Sequence, residues 1–322
     1  MTIRDFFKHG SAGWLKYDSY EYRSDKSGTI YLTPSGKAKP DFYDPLETAD
    51  QIIADAVNIG LAAMREEDDS VLKDEVLTFT KKYGLLGLMT ALPTTADFIE
   101  YEKVYLPKNH FIREESMTTR KYLSCFFPLE KPEFQKRGKE SVLNITDKTD
   151  VGIAIATQND PQAVTMTFLH NYAERYDWIV TVFRDLAFTL TTSFLYYQDK
   201  DRLEEEELAL YRQGMAAFGG IAPTYHIELR EKPVIVWDFH SLSLILQMML
   251  SFMIADESPA LKLCKKCGKA FLPTRKNSEF CSARCKNQYN VYKTRAKKQS
   301  GESDNEQKTS FNNSRANRAS KG

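Results

Sequence analysis

Leu261 to Lys298 reads LKLCKKCGKAFLPTRKNSEFCSARCKNQYNVYKTRAKK and holds four of the five cysteines of the chain. Two residues separate Cys264 from Cys267, three separate Cys281 from Cys285, and thirteen lie between the pairs. Two short cysteine pairs joined by a loop supply the four soft donors that a closed structural zinc site takes. Gly268, directly after Cys267, permits the tight turn of a knuckle that aims both sulfurs inward. Cys281 and Cys285 have the spacing of one helical turn, which puts both sulfurs on one side of a helix start. The intervening KAFLPTRKNSEF is predicted as a short hairpin, with Pro273 and Asn277-Ser278 as its turn residues. A redox CxxC needs no second pair nearby, and disulfides go with secretion, of which the sequence shows no sign. An iron–sulfur cluster also takes four thiolates, but a knuckle–hairpin–helix order favours zinc.

The motif CxxCGKxF followed by FCSxxCKN resembles the FCS-type zinc fingers, which have a treble-clef arrangement. The resemblance implies zinc held by Cys264, Cys267, Cys281 and Cys285, and binding of RNA or DNA. The stretch is also similar to the CGNR-type finger of bacterial proteins. It differs from that type in the three residues inside its second pair and in Lys286-Asn287 where that type has Gly-Asn-Arg. The wider order of hairpin, apolar helix and finger, with FTKKYGLLGL (Phe79–Leu88) far upstream, resembles a group of uncharacterised bacterial proteins. That wider resemblance implies no activity for the preceding residues.

The 322-residue chain is neutral overall, yet its charge is polarised. From Leu261 onward there are 16 Lys and Arg against 4 Asp and Glu, a net +12, so residues 1–260 carry −12. A basic module on an acidic body suits a polyanionic partner; the plainer reading is that the two parts neutralise each other. With 42% hydrophobic and 12% aromatic residues the chain can bury a substantial core. MTIRDFFKHG lacks the apolar core of a secretory signal. The longest nearly uncharged apolar run, Leu242 to Ala255, is shorter than the roughly 20 residues of a membrane span and is expected to be a buried helix. An unpaired Cys125 beside a thiolate metal site fits a reducing cytoplasm.

Working back toward the N-terminus, SLSLILQMMLSFMIA predicts a helix capped by Asp238 or Ser241, joined to the finger by the short linker ESPA. Before it, APTYHIEL and PVIVWDF read as a strand pair turned at REKP. Residues from about Pro161 to Tyr197 show helical apolar spacing, and another helix runs past the acidic Asp199–Glu207 through Tyr211 to Gly219-Gly220. Residues 92–160 are expected to be loops and short strands. Helices are predicted from Leu46 to Met64, opened by Pro45 with Asp44 as N-cap, and from about Val71 to Ala91. Gly84 and Gly87 interrupt the second; they mark a helix end or close packing in preference to a phosphate cradle, since no strand precedes them. Thr29–Thr33 reads as a strand and Ser35-Gly36 as a turn.

Catalytic signatures are absent from the sequence. His170, His226 and His240 define no metal or triad spacing, and no HExxH, GxSxG or Walker pattern occurs. The finger helix carries more information. Cys281, Cys285, Tyr289 and Tyr292 fall on one side, so the tyrosines are expected to pack over the metal, with base stacking as their sharper alternative. Arg284, Lys286, Lys293, Arg295, Lys297 and Lys298 occupy other faces and can neutralise phosphates, and Asn287 can reach base edges. A solvated basic helix is the plain alternative. Leu261–Lys298 carries 12 basic residues against the single acid Glu279, more bias than solubility requires.

The sequence therefore predicts an α+β chain: a mainly helical body with short strands and a hairpin (1–258), a C-terminal treble-clef zinc finger with a basic helix (259–298), and a disordered polar tail (299–322). The expected function is non-enzymatic and cytoplasmic, with zinc as cofactor and DNA or RNA bound by the finger. A protein–protein adaptor with a docking finger is the alternative. A protein partner for 1–258 fits either, and no membrane association is expected.

Overall fold

The structure, a computed structural model, describes residues 10–11, 13–90, 101–106, 111–130, 134–137, 140–143, 166–216, 224–255, 261–275 and 277–296. The chain divides into two compact units, Met1–Ala260 and Leu261–Gly322. It is α+β, as the patterning indicates.

The first unit opens with short strands: β1 (Gly10–Ser11), β2 (Trp14–Tyr17), β3 (Tyr20–Ser24), β4 (Ile30–Pro34) and β5 (Pro40–Tyr43). β3 and β4 pair antiparallel, as do β2 and β5. The β3–β4 turn is closed by Asp25, whose carboxylate accepts the Ser27 and Thr29 amides at 2.8 and 3.0 Å. Asp44 Oδ1 accepts the Leu46 amide at 2.9 Å, so it caps as expected, but Pro45–Thr48 is a 3-10 turn and the α-helix starts only at Ala49. That helix, α1 (Ala49–Met64), buries Ile52, Ile53, Ala56, Val57, Ile59 and Ala63.

Helix α2 (Asp69–Tyr83) starts at Asp68, whose side chain accepts the Ser70 amide. The apolar pattern carries this helix on to Ala91; the structure ends it at Tyr83. Gly84 and Gly87 take φ of +90° and +71°, a region open to glycine, and the turn passes tightly against Trp14. The expectation of a helix end and close packing at these glycines therefore holds. Next come β6 (Lys103–Tyr105), paired with β7 (Ser116–Thr118), then α3 (Thr119–Ser124) and the β8 (Phe134–Arg137)–β9 (Glu140–Leu143) pair.

The single helix expected from Pro161 to Tyr197 is also corrected. Residues 161–165 lie outside the described residues, 166–167 are helical, and 168–173 form turns and irregular backbone. Glu174–Arg175 is a short strand, β10, antiparallel to β4, and helix α4 runs Tyr176–Asp199. Pairing with β4 overrides the apolar period here, because Thr33 Oγ1 also donates to the Tyr172 carbonyl at 3.0 Å. Helix α5 (Glu205–Ala216) follows, then the hairpin of β11 (Thr224–Leu229) and β12 (Pro233–Asp238), with β1 parallel on the far side of β12. Helix α6 (Leu242–Ala255) is capped by Ser241, whose hydroxyl accepts the Leu244 amide at 3.0 Å.

α1 and α4 cross at the centre of this unit. A Cβ on Gly60 would lie 1.9 Å from the Phe183 carbonyl oxygen and 2.7 Å from Ala187 Cβ. The two backbones therefore meet at a position that only glycine can occupy. Phe183 and Ala187 are fully buried, and Phe79 stacks edge-on to Phe183 at 4.8 Å. Tyr176–Tyr197 is long and apolar enough to cross a bilayer, with mean hydropathy 1.2, but 61% of that stretch is buried inside the unit, as a core helix would be.

The second unit contains β13 (Lys262–Leu263) antiparallel to β14 (Ala270–Phe271), and a helix over residues 283–296, here α7.

Candidate metal centre

The β13–β14 hairpin closes around the first cysteine pair. Leu263 pairs with Ala270, the Cys264 amide donates to the Lys269 carbonyl at 2.9 Å, and the Gly268 amide donates to the Cys264 carbonyl at 2.8 Å. Gly268 has φ +70°, which permits this reversal. The hairpin thus differs from the one expected within KAFLPTRKNSEF. Its turn is the knuckle itself, and the described residues from Leu272 to Phe280 form turns and irregular backbone. Pro273 has no N–H to extend the ladder beyond Phe271. The far end of that loop is tied back to the knuckle. The Lys265 amide donates to the Glu279 carbonyl at 3.0 Å, and the Lys265 ammonium pairs with the Glu279 carboxylate.

Ser282 starts α7. Its hydroxyl accepts the Cys285 amide at 3.2 Å and its carbonyl accepts the Lys286 amide at 3.1 Å. Cys281 therefore sits just before the cap and Cys285 in the first turn, with sulfurs 3.5 Å apart. Cys281 and Cys267 sulfurs are 3.7 Å apart, and all four sulfurs lie within 4.8 Å of one another. A tetrahedron with zinc–sulfur arms of about 2.3 Å has edges of about 3.8 Å, so the cluster has the size of a four-cysteine zinc site. A disulfide would need about 2.05 Å between sulfurs, and all four cysteines are free.

The electrostatics of the cluster also suit a cation. Burial pushes the Cys264 thiol up, but amides of Cys281, Cys267 and Lys266 directed at its sulfur outweigh that and lower its pKa overall. Cys281 is raised, by burial first and then by the neighbouring sulfurs of Cys285, Cys264 and Cys267. Cys267 is raised too, again chiefly by burial. Bare thiolates this close repel, and a divalent cation relieves that repulsion. Cys264 is buried, while Cys267 and Cys281 reach the surface, so an ion can enter from solvent.

The tyrosines of α7 pack at the edge of this centre. Tyr289 lies against Phe280 with ring centroids 5.2 Å apart, and the Lys266 ammonium sits 4.3 Å from the Tyr292 ring centre. Tyr292 stays 57% exposed. Arg284, Lys286, Asn287, Lys293 and Arg295 are exposed on α7, and none makes a side-chain hydrogen bond or ion pair with a described residue. Lys297, Lys298 and the tail 299–322 lie outside the described residues.

In the first unit each of the three described histidines has a hydrogen-bond partner through one ring nitrogen, and His240 Nδ1 is buried with no partner among the described residues. His170 Nε2 is 2.9 Å from the Ser35 carbonyl, His226 Nδ1 is 2.8 Å from Asp238 Oδ2, and His240 Nε2 meets the Thr224 hydroxyl. Glu174 is a polar centre that no motif in the sequence singles out. It is wholly buried, and its carboxylate accepts the Leu86 and Leu88 amides and the Tyr172 hydroxyl, each at 2.8 Å. Its partner amides lie more than 80 residues upstream, so no local pattern marks it. The two amide contacts hold the Gly84–Thr90 turn, a structural role.

Comparison with models of known protein families, with curated proteins and with solved structures gave no match.

Proposed function

We propose that the C-terminal unit is a treble-clef zinc finger of the FCS-like kind, holding one zinc on Cys264, Cys267, Cys281 and Cys285, and that it binds nucleic acid through α7. The metal here is structural, because four thiolates leave no open coordination position. The observation that carries the nucleic-acid reading is a set of exposed cations on a helix whose first turn is fixed at the metal, none of them paired with a described residue: Arg284, Lys286, Lys293 and Arg295. A fixed helix presents these charges as a phosphate-binding face without first having to order them. Lys297 and Lys298 extend the same basic run in the sequence. The protein works without catalysis, in a reducing cytoplasm that keeps its thiols free.

The test is binding of the zinc-loaded chain to duplex DNA, single-stranded DNA and RNA at low salt, before and after the metal is chelated. Binding that disappears with the metal and returns with added zinc supports the reading. Absence of binding to all three probes would leave the adaptor in its place. One observation favours protein contacts by the first unit. Tyr225, Ile227, Leu229 and Ile235 on β11 and β12 are exposed at 62%, 65%, 81% and 51%, an apolar strip on a sheet edge.

A further inference from the structure

Helix α7 sorts its side chains into separate lanes. At about 100° per residue, Cys285, Tyr289 and Tyr292 share one lane, the side that carries the sulfurs. Cys285 and Tyr289 are the most buried residues of 283–296, so this lane is the packed one. Arg284 and Arg295 fall within about 20° of each other on one flank, and Lys286 and Lys293 within about 20° of each other on the opposite flank. The lane turned away from the sulfurs carries Asn287, Asn290, Val291 and Thr294, all exposed and none charged. Thr294 Oγ1 donates to the Asn290 carbonyl at 2.9 Å, which leaves its methyl group free. Val291, an apolar side chain, is 48% exposed.

A helix kept soluble by its outer face puts charge farthest from its packed side. Among the described residues of α7 the farthest lane is uncharged, and the charges bracket it. That is the layout of a surface that reads in the middle and grips at both edges.

We propose, building on the nucleic-acid reading above, that α7 enters the major groove of B-form DNA. Its outer lane then faces the base edges, and its two basic flanks meet phosphates of both strands. A helix with its side chains is about 10–12 Å across and the major groove is about 12 Å wide, so the flanking cations reach the groove walls. Arg284 and Arg295 are spaced by about 16 Å along the axis and Lys286 and Lys293 by about 10 Å, enough to engage more than one phosphate on each side. An asparagine amide matches the donor and acceptor of adenine in the major groove, and the Val291 and Thr294 methyls match the thymine methyl. The preferred base pairs are therefore A·T. Duplex RNA is disfavoured, because its major groove is too deep and narrow to admit a helix.

The test is fluorescence anisotropy of the full zinc-loaded chain on three probes of equal length at one salt concentration. These are an alternating A·T duplex, the same duplex with 7-deazaadenine replacing adenine, and an A·U duplex RNA. The 7-deaza base loses the major-groove N7 acceptor but keeps its pairing, phosphates and minor groove. The expected result is about tenfold weaker binding to the 7-deaza duplex and to the RNA than to the A·T duplex. Asn287→Ala combined with Asn290→Ala should erase the difference between the two DNA probes while zinc content and salt dependence stay as in wild type. Equal wild-type affinity for the two DNA duplexes, or RNA bound as tightly as DNA, overturns the groove-reading proposal and leaves phosphate binding standing. No binding to any probe overturns the nucleic-acid reading itself, and this proposal with it.

Discussion

The Glu174 carboxylate accepts the Leu86 amide at 2.8 Å from 88 residues along the chain, deep in the core of the first unit. This bond, with those from Leu88 and Tyr172, holds the glycine turn after α2 against the strand that leads into α4. A buried carboxylate without partners would cost several kcal/mol, on the order of the stability of a whole domain. With three donors it becomes the tie between distant segments. Replacing Glu174 with Ala should cost about 2–4 kcal/mol in chemical denaturation, since two amides and a hydroxyl lose their acceptor. A loss below about 0.5 kcal/mol, the range of ordinary surface changes, would show that the tie is dispensable.

The same residue gives a pH signature. Burial raises Glu174 above the 4.5 of a free glutamate, against the lowering effect of the Leu88, Tyr172 and Leu86 hydrogen bonds. A carboxyl that binds its proton more tightly when folded contributes stability fully below its unfolded pKa, and loses it as pH rises through the folded pKa. Glu174→Gln cannot titrate. The stability of wild type relative to Glu174→Gln should therefore fall as pH is raised from about 4 toward neutrality. Denaturation at several pH values reads this directly, and a difference that grows with pH would reverse the sign.

Gly60 sets how closely α1 and α4 approach. Alanine is the better helix former by about 1 kcal/mol. Its Cβ, however, would meet the Phe183 carbonyl carbon at 2.5 Å and the oxygen at 1.9 Å, and backbone cannot move aside as a flexible side chain can. Gly60→Ala should thus destabilise by at least about 1–3 kcal/mol despite the propensity gain. A melting temperature equal to or above wild type would place the helix crossing elsewhere.

The local features of the chain are legible in its sequence, and the tertiary ones are not. Cysteine spacing marks the metal cluster, and the glycine after Cys267 marks the knuckle, because four ligands within 22 residues are a local matter. The helix over 242–255 and the hairpin before it follow from apolar period and turn residues. The start of α4 is hidden, since residues 166–175 carry apolar spacing but are diverted by pairing with β4 and by the Glu174 tie. The finger hairpin falls one segment earlier than the turn residues suggest, because its strands are only two residues long and carry no alternation. The sorting of α7 into a polar lane between two basic flanks needs the helix bounds and the burial of Cys285 and Tyr289.

The metal should be stoichiometric. Elemental analysis under reducing, metal-replete conditions is expected to give one zinc per chain, and Cys281→Ser is expected to lower retention markedly, because it removes one of four donors from a cluster whose thiolates otherwise repel. Less than half an equivalent in wild type, or full retention in Cys281→Ser, would count against a four-thiolate site. A chain truncated after Ser258 should still melt cooperatively, since the first unit carries its own core of α1, α4 and α6.

The central claim, that a zinc-fixed basic helix binds nucleic acid, is tested most directly by the salt dependence of binding to duplex DNA. Wild type is compared with the variant in which Arg284, Lys286, Lys293 and Arg295 are all Ala. Each phosphate contact contributes about 0.9 to the slope of log affinity against log salt. The account predicts a slope shallower by up to about 3.6 in the variant, weaker binding to most sequences alike, and unchanged zinc content. An identical slope and affinity in the two proteins, with zinc content equal, would contradict it.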